Sequence, residues 1–273
     1  MSLLERTKLL LRTRRISPNK LLGQNFTVES SVFQRAINYA NLNKQDVVLD
    51  IGAGFGFLTR VLANNCKRVV AVEVDEAIAG VLREQIKDLS NVEIVKGNVL
   101  KTPIPAFNKV VSIPPYQISS KLLSWLLNKD FDRAILIFQK EFANHLVASV
   151  GSDDYSWLTV VAYYYVETDL LDGIPKSMFY PEPKVDSVIV RLTPKKPKPF
   201  IVKDEAQFKR LAQSLFTKRN RKLRNAILQY LKGKRAMTAE QAANLVGVIP
   251  FRDKRVRELA PEDFGVLANA IAA

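Results

Sequence analysis

A glycine-rich turn at residues 49–56, Leu-Asp-Ile-Gly-Ala-Gly-Phe-Gly, constrains the fold more than any other segment of the chain. It follows an apolar run and carries three alternating glycines. Glycines allow a sharp backbone turn and leave no Cβ between the peptide and a ligand, while the next helix offers its N-terminus. The pattern predicts a nucleotide-like cofactor at the end of a strand. Dinucleotide binders have the spacing G-x-G-x-x-G, and here the third glycine comes one residue early.

Strand-like and helix-like segments alternate over most of the chain. The predicted strands span residues 47–51, 69–73, 92–95, 109–112, 134–138, 160–166 and 187–192. Apolar residues at helical spacing occur at 58–63, 77–86, 119–127 and 141–150. This alternation predicts an α/β fold with a mostly parallel, Rossmann-like sheet and helices on both faces. The last two strands are expected to add as an antiparallel edge.

A proline- and lysine-rich segment at residues 194–199 interrupts these patterns and is typical of a stiff linker. Beyond it, the spacing of apolar residues is helical throughout. We therefore predict a basic N-terminal extension, a cofactor-binding domain, a linker and a small all-α C-terminal domain, at residues 1–20, 21–193, 194–200 and 201–273.

Two further groups are predicted to lie beside the glycine turn. Glu73 ends the second predicted strand, where α/β nucleotide folds bind ribose hydroxyls, although a solvated carboxylate is the plainer alternative. Residues 112–116, Ser-Ile-Pro-Pro-Tyr, follow the fourth strand, and ligands of open α/β sheets bind at that edge. Prolines hold such a loop in one shape, and the tyrosine ring can stack on a flat substrate. Without the glycine turn, a proline-rich turn with a packing tyrosine would be the simpler interpretation.

The chain is strongly basic, with a formal net charge of +14. This surplus favours polyanionic partners, although solubility alone is an alternative explanation. No acid occurs from Lys209 to Arg235, whereas a merely solvated helical face mixes signs. The N-terminal extension resembles either an organelle transit peptide or an RNA-contacting helix because of its cations, Arg6, Lys8, Arg12, Arg14 and Arg15.

The sequence excludes several other classes of site. One cysteine, Cys66, and one histidine, His145, leave no intramolecular disulfide, cysteine zinc site or metal cluster. No P-loop motif is present, so ATP hydrolysis is not expected. No apolar run approaches membrane-spanning length, and we expect a cytoplasmic protein with no membrane partner.

Several segments match one family in the same order. They are Leu22–Phe26, Asp50–Gly56, Gln139–Glu141, Phe179–Ser187 and Phe216–Asn225. Together they resemble the small-subunit ribosomal RNA adenine dimethyltransferases, to which the erythromycin-resistance methyltransferases are similar. The resemblance implies S-adenosylmethionine as cofactor and dimethylation of two adjacent adenines on their exocyclic amines. It also implies small-subunit rRNA in the immature small ribosomal subunit as the partner, and a monomeric enzyme.

The resemblance assigns expected roles to individual residues. Those expected to bind the cofactor are Gln24, Asn25, Phe26, Asp50, Gly52, Gly54, Gly56, Glu73, Val74, Asn98, Val99 and Ser112. Those expected at the target adenine are Ile113, Pro114, Pro115, Tyr116 and Phe179. Those expected to bind RNA are Lys218, Arg219, Arg221, Lys222 and Arg224.

Two positions depart from the family pattern. Ile113 stands where an asparagine accepts hydrogens of the target amine, and Asn98 stands where an aspartate receives the cofactor's adenine amine. Asn98 can still accept through its amide oxygen, whereas Ile113 cannot accept at all. Either Ser112 or the Pro114 carbonyl supplies the contact, or catalysis is weakened or lost. A non-catalytic ribosome-assembly factor, a large-subunit rRNA methyltransferase and a DNA adenine methyltransferase therefore remain alternatives.

Overall fold

The computed structural model describes residues 1–233 and 238–271. The strands β1 to β9 span Phe26–Thr27, Val47–Ile51, Arg68–Glu73, Val92–Lys96, Lys109–Ser112, Arg133–Gln139, Val166–Ile174, Phe179–Tyr180 and Ser187–Pro194. The helices α1 to α11 span Leu3–Thr13, Ser30–Ala40, Phe57–Ala63, Glu76–Gln85, Ser119–Leu126, Lys140–Val147, Trp157–Tyr165, Glu205–Phe216, Leu223–Gly233, Ala239–Val248 and Pro261–Ala270.

The main sheet has the strand order β4-β3-β2-β5-β6-β9-β7. Strands β2 to β6 are parallel, and β9 pairs antiparallel with β6. From β2 the chain adds strands first on one side, toward β4, and then on the other side, beginning with β5. A crevice therefore opens where β2 and β5 end. Such switch points are where open α/β sheets bind their ligands. The predicted Rossmann-like α/β sheet with an antiparallel addition is confirmed.

Buried apolar runs explain the central strands. In β2 and β3, Val48, Leu49, Val69 and Val70 are fully buried, because helices cover both faces of the sheet. The run of apolar residues is therefore continuous rather than alternating. This pattern made the strands easy to predict from the sequence.

One predicted strand is wrong. Residues 160–165 belong to helix α7, and the strand β7 begins only at Val166. The segment is rich in β-branched and aromatic residues, which favour strands. Most of α7 is buried, so no polar stripe reveals the helical period.

The contacts divide the chain into two compact units. The first comprises residues 1–143 and 169–194, and the second comprises residues 144–168 and 195–273. The chain passes from the first unit to the second at the Pro194–Lys195 bond, within the proline- and lysine-rich segment. Residues 144–168 pack with the C-terminal residues, whereas the sequence pattern predicts them to be part of the cofactor-binding domain.

The N-terminal extension contains a packed helix, α1. Its residue Leu11 joins Phe55, Ile78 and Val81 in an apolar cluster of the first unit. The Arg6 guanidinium lies 5.0 Å from the ring centre of Phe57. The many Lys and Arg residues of this segment therefore did not reveal that one face of α1 is buried against the first unit. In the described part of the chain, no helix is both long and apolar enough to cross a membrane.

Candidate active site

The glycine turn is fixed to the neighbouring strand by its own amides. The N–H groups of Gly52 and Ala53 both donate to the Val72 carbonyl, at 2.8 and 3.1 Å. The N–H of Gly54 donates to the Glu73 carboxylate at 3.0 Å. Gly52 and Gly54 have φ values of +74° and +57°, which L side chains rarely adopt. The sequence folds in this way because only glycine adopts these angles without strain.

Glu73 holds the turn and the start of α4 together. Besides Gly54, its carboxylate accepts from the N–H groups of Val74 and Asp75, at 2.9 and 3.0 Å. Burial raises the pKa of Glu73, although these three N–H groups act in the opposite direction. The carboxylate also lines the cavity described below, where it can accept from ligand hydroxyls.

Asp50 is a second buried carboxylate beside the turn. The Thr59 hydroxyl donates to it at 2.7 Å. Burial raises the pKa of Asp50 to about 7, and the charge of Glu73 adds to the rise. An ionised Asp50 lacks water to solvate its charge, so this side of the cavity suits a cationic ligand group.

A cavity of about 190 Å³ lies at the switch point of the sheet. Both the glycine turn and the proline loop line it. The predicted cofactor residues that line it are Gln24, Asn25, Phe26, Asp50, Gly52, Gly54, Glu73, Val74, Asn98 and Val99. The predicted target-base residues that line it are Ile113, Pro114, Pro115 and Tyr116. The structure thus brings together two segments that lie far apart in the sequence.

Three predicted residues, Gly56, Ser112 and Phe179, are not among those that line the cavity. At Gly56, a Cβ would come within 2.6 Å of Leu82, so this glycine permits close packing of α3 and α4. The Ser112 hydroxyl accepts from the Ile51 N–H at 3.1 Å and donates to the Ile51 carbonyl at 2.6 Å. It therefore ties β5 to β2 and is already committed to the backbone.

The N-terminal motif is held over the cavity by residues that the sequence analysis did not single out. Gln24 donates to Asp75 at 3.0 Å, and Gln117 donates to the Lys20 carbonyl at 2.8 Å. Asp75 also caps α4 by accepting from the Ile78 N–H at 3.1 Å. An aspartate just before a helical apolar pattern is a capping signal that was present in the sequence. The contact of Gln117 with the Lys20 segment had no such local signal.

Asn98 lies on the cofactor side of the cavity, after β4. Its side-chain oxygen accepts from the Leu100 N–H at 2.9 Å. An amide oxygen has two lone pairs, so one remains for a ligand donor.

Tyr116 is held in place from two directions. Its hydroxyl lies 2.7 Å from the Ser187 hydroxyl, and its ring meets Phe179 edge-on at a centroid distance of 6.4 Å. Burial raises the pKa of Tyr116 to about 12, so the phenol stays neutral. Phe179 is buried in the core, and in this arrangement it supports Tyr116. Ser187 belongs to the matching 179–187 segment, but no role was expected of it.

The proline loop offers no side-chain acceptor to a ligand amine. Ile113 packs against the apolar core, and the Ser112 hydroxyl is bonded to Ile51. The carbonyls of Pro115 and Tyr116 accept from Ile118 N–H and the Ser119 hydroxyl. Within residues 1–233 and 238–271, no hydrogen bond to the Pro114 carbonyl is found, so this oxygen can accept.

The cavity fits S-adenosylmethionine. A Cβ at Gly52 would approach the Pro115 ring to 3.0 Å, and one at Gly54 would approach the Phe26 ring to 3.5 Å. The glycines therefore keep open a space that side chains would fill. Glu73 suits ribose hydroxyls, and Asp50 suits the cationic end of the cofactor.

The predicted RNA-binding residues lie in the second unit, around the start of α9. The guanidinium of Arg219 donates to the carbonyls of Ser152 and Asp153, at 2.7 and 2.6 Å. These bonds give Arg219 a structural role. Lys222 and Arg224 are exposed and lie near Asp253, at 3.8 and 2.7 Å.

The other two predicted cations differ from these. Arg221 is exposed and Lys218 is partly buried, and the described residues contain no ion pair of either one. The last residues of the acid-free stretch, 234 and 235, lie outside the described residues.

Comparisons with known proteins agree with this geometry. Residues 16–260 match the family model described as "Ribosomal RNA adenine dimethylase". A protein of Methanosarcina acetivorans named probable ribosomal RNA small subunit methyltransferase A is 40% identical over 250 residues, covering 91% of each chain. Its namesake from Pyrococcus abyssi is 36% identical over 259 residues, covering 95% of this chain and 94% of the relative.

Two solved structures are similar over most of the chain, each at 26% identity. A dimethyladenosine transferase from Plasmodium falciparum has a TM-score of 0.76, over 89% of this chain and 95% of that one. The 23S rRNA methyltransferase ErmE has a TM-score of 0.64, over 91% of this chain and 100% of that one. The family match covers the glycine turn, the proline loop and the start of the C-terminal helices. The chain belongs to the ribosomal RNA adenine dimethylase family, whose methyl donor is S-adenosylmethionine.

Proposed function

We propose that the protein dimethylates the exocyclic amines of two adjacent adenines in small-subunit rRNA. It acts on the immature small subunit, as a monomer and in the cytoplasm. The observation that carries the proposal is the shared cavity, lined by the glycine turn on one side and by Ile113–Tyr116 on the other. The names of the relatives from Methanosarcina acetivorans and Pyrococcus abyssi support the choice of the small subunit.

The residues of the chain orient the two reactants. S-adenosylmethionine would supply a methyl group on a sulfonium: the adenine amine would attack that methyl carbon, the neutral thioether would leave, and the nitrogen would give up one proton to water. Gly52 and Gly54 let the backbone approach the cofactor, while Glu73 and Asp50 fix its polar groups. Holding both reactants in line removes the entropy cost of a bimolecular encounter, which accounts for much of the acceleration.

The target base must leave its stack to reach the cavity. The Tyr116 ring offers a face that replaces the lost stacking. Its hydroxyl is held by Ser187, so the plane of the ring is set before the base arrives. The Pro114 carbonyl can accept one hydrogen of the amine and direct the nitrogen lone pair toward the cofactor.

A second candidate function is a catalytically weakened ribosome-assembly factor. The observation that favours it is the lack of a side-chain acceptor beside Pro114, with Ile113 apolar and Ser112 bonded to Ile51. An unpaired polar group costs about 1–3 kcal/mol, so the free-energy barrier to methyl transfer would be higher by that amount. Cofactor binding without turnover on any ribosomal RNA would establish this alternative.

Separated ribosomal subunits test the proposal. Labelled S-adenosylmethionine should transfer its methyl group to immature small subunits, and mapping should place the label on the amines of adjacent adenines. Transfer to large subunits instead would indicate the activity in the name of the similar structure ErmE. Transfer to DNA would indicate a DNA adenine methyltransferase.

A further inference from the structure

The segment that lies over the cavity is a short turn with hydrogen bonds of its own. We call residues 19–25 the strap, and Leu21–Asn25 line the cavity. The Asn19 side chain accepts from the Leu21 N–H at 2.9 Å, and the Asn19 N–H donates to the Gln24 side-chain oxygen at 2.8 Å. These bonds keep the strap in one shape. Leu21 is 89% exposed, so burial of this side chain does not hold the strap against the rest of the first unit.

Two side-chain amides attach the strap to the two sides of the cavity. On the cofactor side, Gln24 of the strap donates to Asp75 at 3.0 Å. On the other side, Gln117 donates to the Lys20 carbonyl of the strap at 2.8 Å. Gln117 directly follows Tyr116 in one 3-10 turn, so the strap is joined to the end of the proline loop.

Gly23 adapts the strap to the Gln117 side chain. It has a φ of +65°, and its N–H donates to the Lys20 carbonyl at 3.1 Å, beside the Gln117 bond. A Cβ at this position would overlap the Gln117 side-chain oxygen and come within 2.6 Å of its amide carbon. Any other residue at position 23 would therefore displace Gln117 from the Lys20 carbonyl.

The bond between Gln117 and Lys20 can break and form again at low cost. Gln117 is exposed, so water replaces the lost partner when the bond breaks. Segments that are held by a few exposed hydrogen bonds open more easily than the core. Opening of the strap would carry Gln24 and Asn25 away from the cavity, where both are predicted to bind the cofactor.

We propose that Gln117 is a positioning residue for the cofactor, which holds the strap closed over the cavity and thereby slows cofactor release. The bonds of Gln117 and Gln24 join atoms of the chain itself, so the strap can close before the cofactor binds. Binding then does not bear the entropy cost of ordering it. The inference goes beyond the proposed function, because it concerns cofactor affinity whichever RNA is methylated. Gln117 follows the base side in sequence but acts on the cofactor side.

Calorimetry with S-adenosylmethionine tests this role. Gln117→Met keeps the length of the side chain and removes its donor. We expect the affinity to fall about fivefold, as for the loss of one neutral hydrogen bond, and the release rate to rise by about the same factor. Gln34→Met is the matched control, because the Gln34 amide donates to Asn38 at 2.9 Å on the exposed surface of α2. It should leave both quantities unchanged.

A merely structural role of Gln117 would change other quantities. In Gln117→Met, the KM for S-adenosylmethionine should rise, while kcat at saturating cofactor and the Tm should stay close to those of the wild type. Hydrogen exchange in the free protein should be faster at the Leu22 and Gly23 amides, which bond within the strap. Equal losses of kcat and Tm would instead show a general loss of structure and would contradict the proposal.

Gly23→Ala provides an independent variant. It should displace Gln117 and weaken cofactor binding at least as much as Gln117→Met does. The double variant should bind no more weakly than Gly23→Ala alone, because the bond to Lys20 is already lost. Additive losses would mean that Gly23 and Gln117 act separately, against the proposal.

The outcomes separate this inference from the proposed function. Unchanged affinity and release rate in folded Gln117→Met would overturn the role of Gln117, even if the wild type methylates small subunits. Weaker binding with faster release would support it, even if methyl transfer is absent or occurs on another RNA.

Discussion

The two sides of the cavity are built from different chemistry. The cofactor side, at Asp50, Gly54 and Glu73, consists of buried carboxylates that accept hydrogen bonds of 2.7–3.0 Å from backbone N–H groups and, at Asp50, from the Thr59 hydroxyl. The base side, at Ile113–Tyr116, offers an aromatic ring and a carbonyl oxygen but no polar side chain except the Tyr116 hydroxyl, which Ser187 engages. Cofactor affinity and transfer rate therefore depend on separate groups. Mutations should therefore change one without the other.

The largest effect is expected on the cofactor side. Gly54→Arg introduces a long side chain into the cavity at a residue whose φ is +57°. We expect S-adenosylmethionine affinity to fall more than about 100-fold, measured by calorimetry, because the side chain occupies the cofactor space. Gly54→Ala adds only a methyl group at ordinary contact distance from Phe26. It should lower the S-adenosylmethionine affinity about tenfold or less, because the backbone strain that it introduces is about 1 kcal/mol. If Gly54→Arg bound S-adenosylmethionine with nearly wild-type affinity, the cofactor would have to bind outside this cavity.

A smaller effect is expected from the aromatic ring on the base side. Tyr116→Ala removes the stacking face, which is worth about 1–3 kcal/mol per base, so kcat should fall about 10- to 100-fold. Tyr116→Phe keeps the ring and loses only the Ser187 contact, so its activity should stay within a few fold. Calorimetry should show unchanged cofactor affinity in both variants. A large loss of cofactor binding in Tyr116→Ala would mean that the two sides are not separable.

A gain of activity is expected at Ile113. Ile113→Asn adds an acceptor beside the Pro114 carbonyl and should raise kcat up to about tenfold, since about 1.4 kcal/mol corresponds to a factor of ten. The rise should be in kcat and not in KM, because an oriented hydrogen bond to the amine matters most as its nitrogen changes geometry. Steady-state kinetics on immature small subunits would measure it, with Ile113→Val as the control. A neutral or harmful effect in a fully active enzyme would leave the Pro114 carbonyl as the sufficient acceptor.

The smallest effect concerns the pH dependence of stability on the cofactor side. Burial raises the pKa of Asp50 to about 7 in the folded protein, against an ordinary 3.8. The folded chain therefore binds the extra proton between these values. The resulting stabilisation is complete below about pH 4 and is lost as the pH rises through about 7.

Thermal unfolding of the free protein measures this loss. Between about pH 5 and pH 8, the Tm of the wild type should fall a few degrees more than that of Asp50→Asn, which keeps an oxygen to accept from Thr59. Asp88→Asn is the matched control, because the Arg60 guanidinium lowers the pKa of Asp88 to about 2, outside this range. Parallel Tm curves for the wild type and Asp50→Asn would show that Asp50 does not titrate in this range.

Much of the fold was predictable because its signals are local. The central strands are continuous apolar runs, and the turn at Gly52–Gly56 marks where the first of them ends. Helix α7 was missed because it is buried around most of its surface, so its composition resembles that of a strand.

The site was predictable only in part. The cavity brings Glu73 and Tyr116 together, as their positions after parallel strands indicated. The bonds of Ser112 to Ile51 and of Tyr116 to Ser187 join residues at least sixty positions apart. Such contacts depend on strand register, which no local pattern specifies.

Transfer of a labelled methyl group to immature small subunits tests the central claim most directly. The measurement uses the wild type and Gly54→Arg side by side, followed by digestion of the RNA and identification of the modified base. We predict labelled dimethyladenine in small-subunit rRNA with the wild type and none with Gly54→Arg. Tight cofactor binding by the wild type without any label in small-subunit rRNA, or with the label only in large-subunit rRNA, would contradict the account.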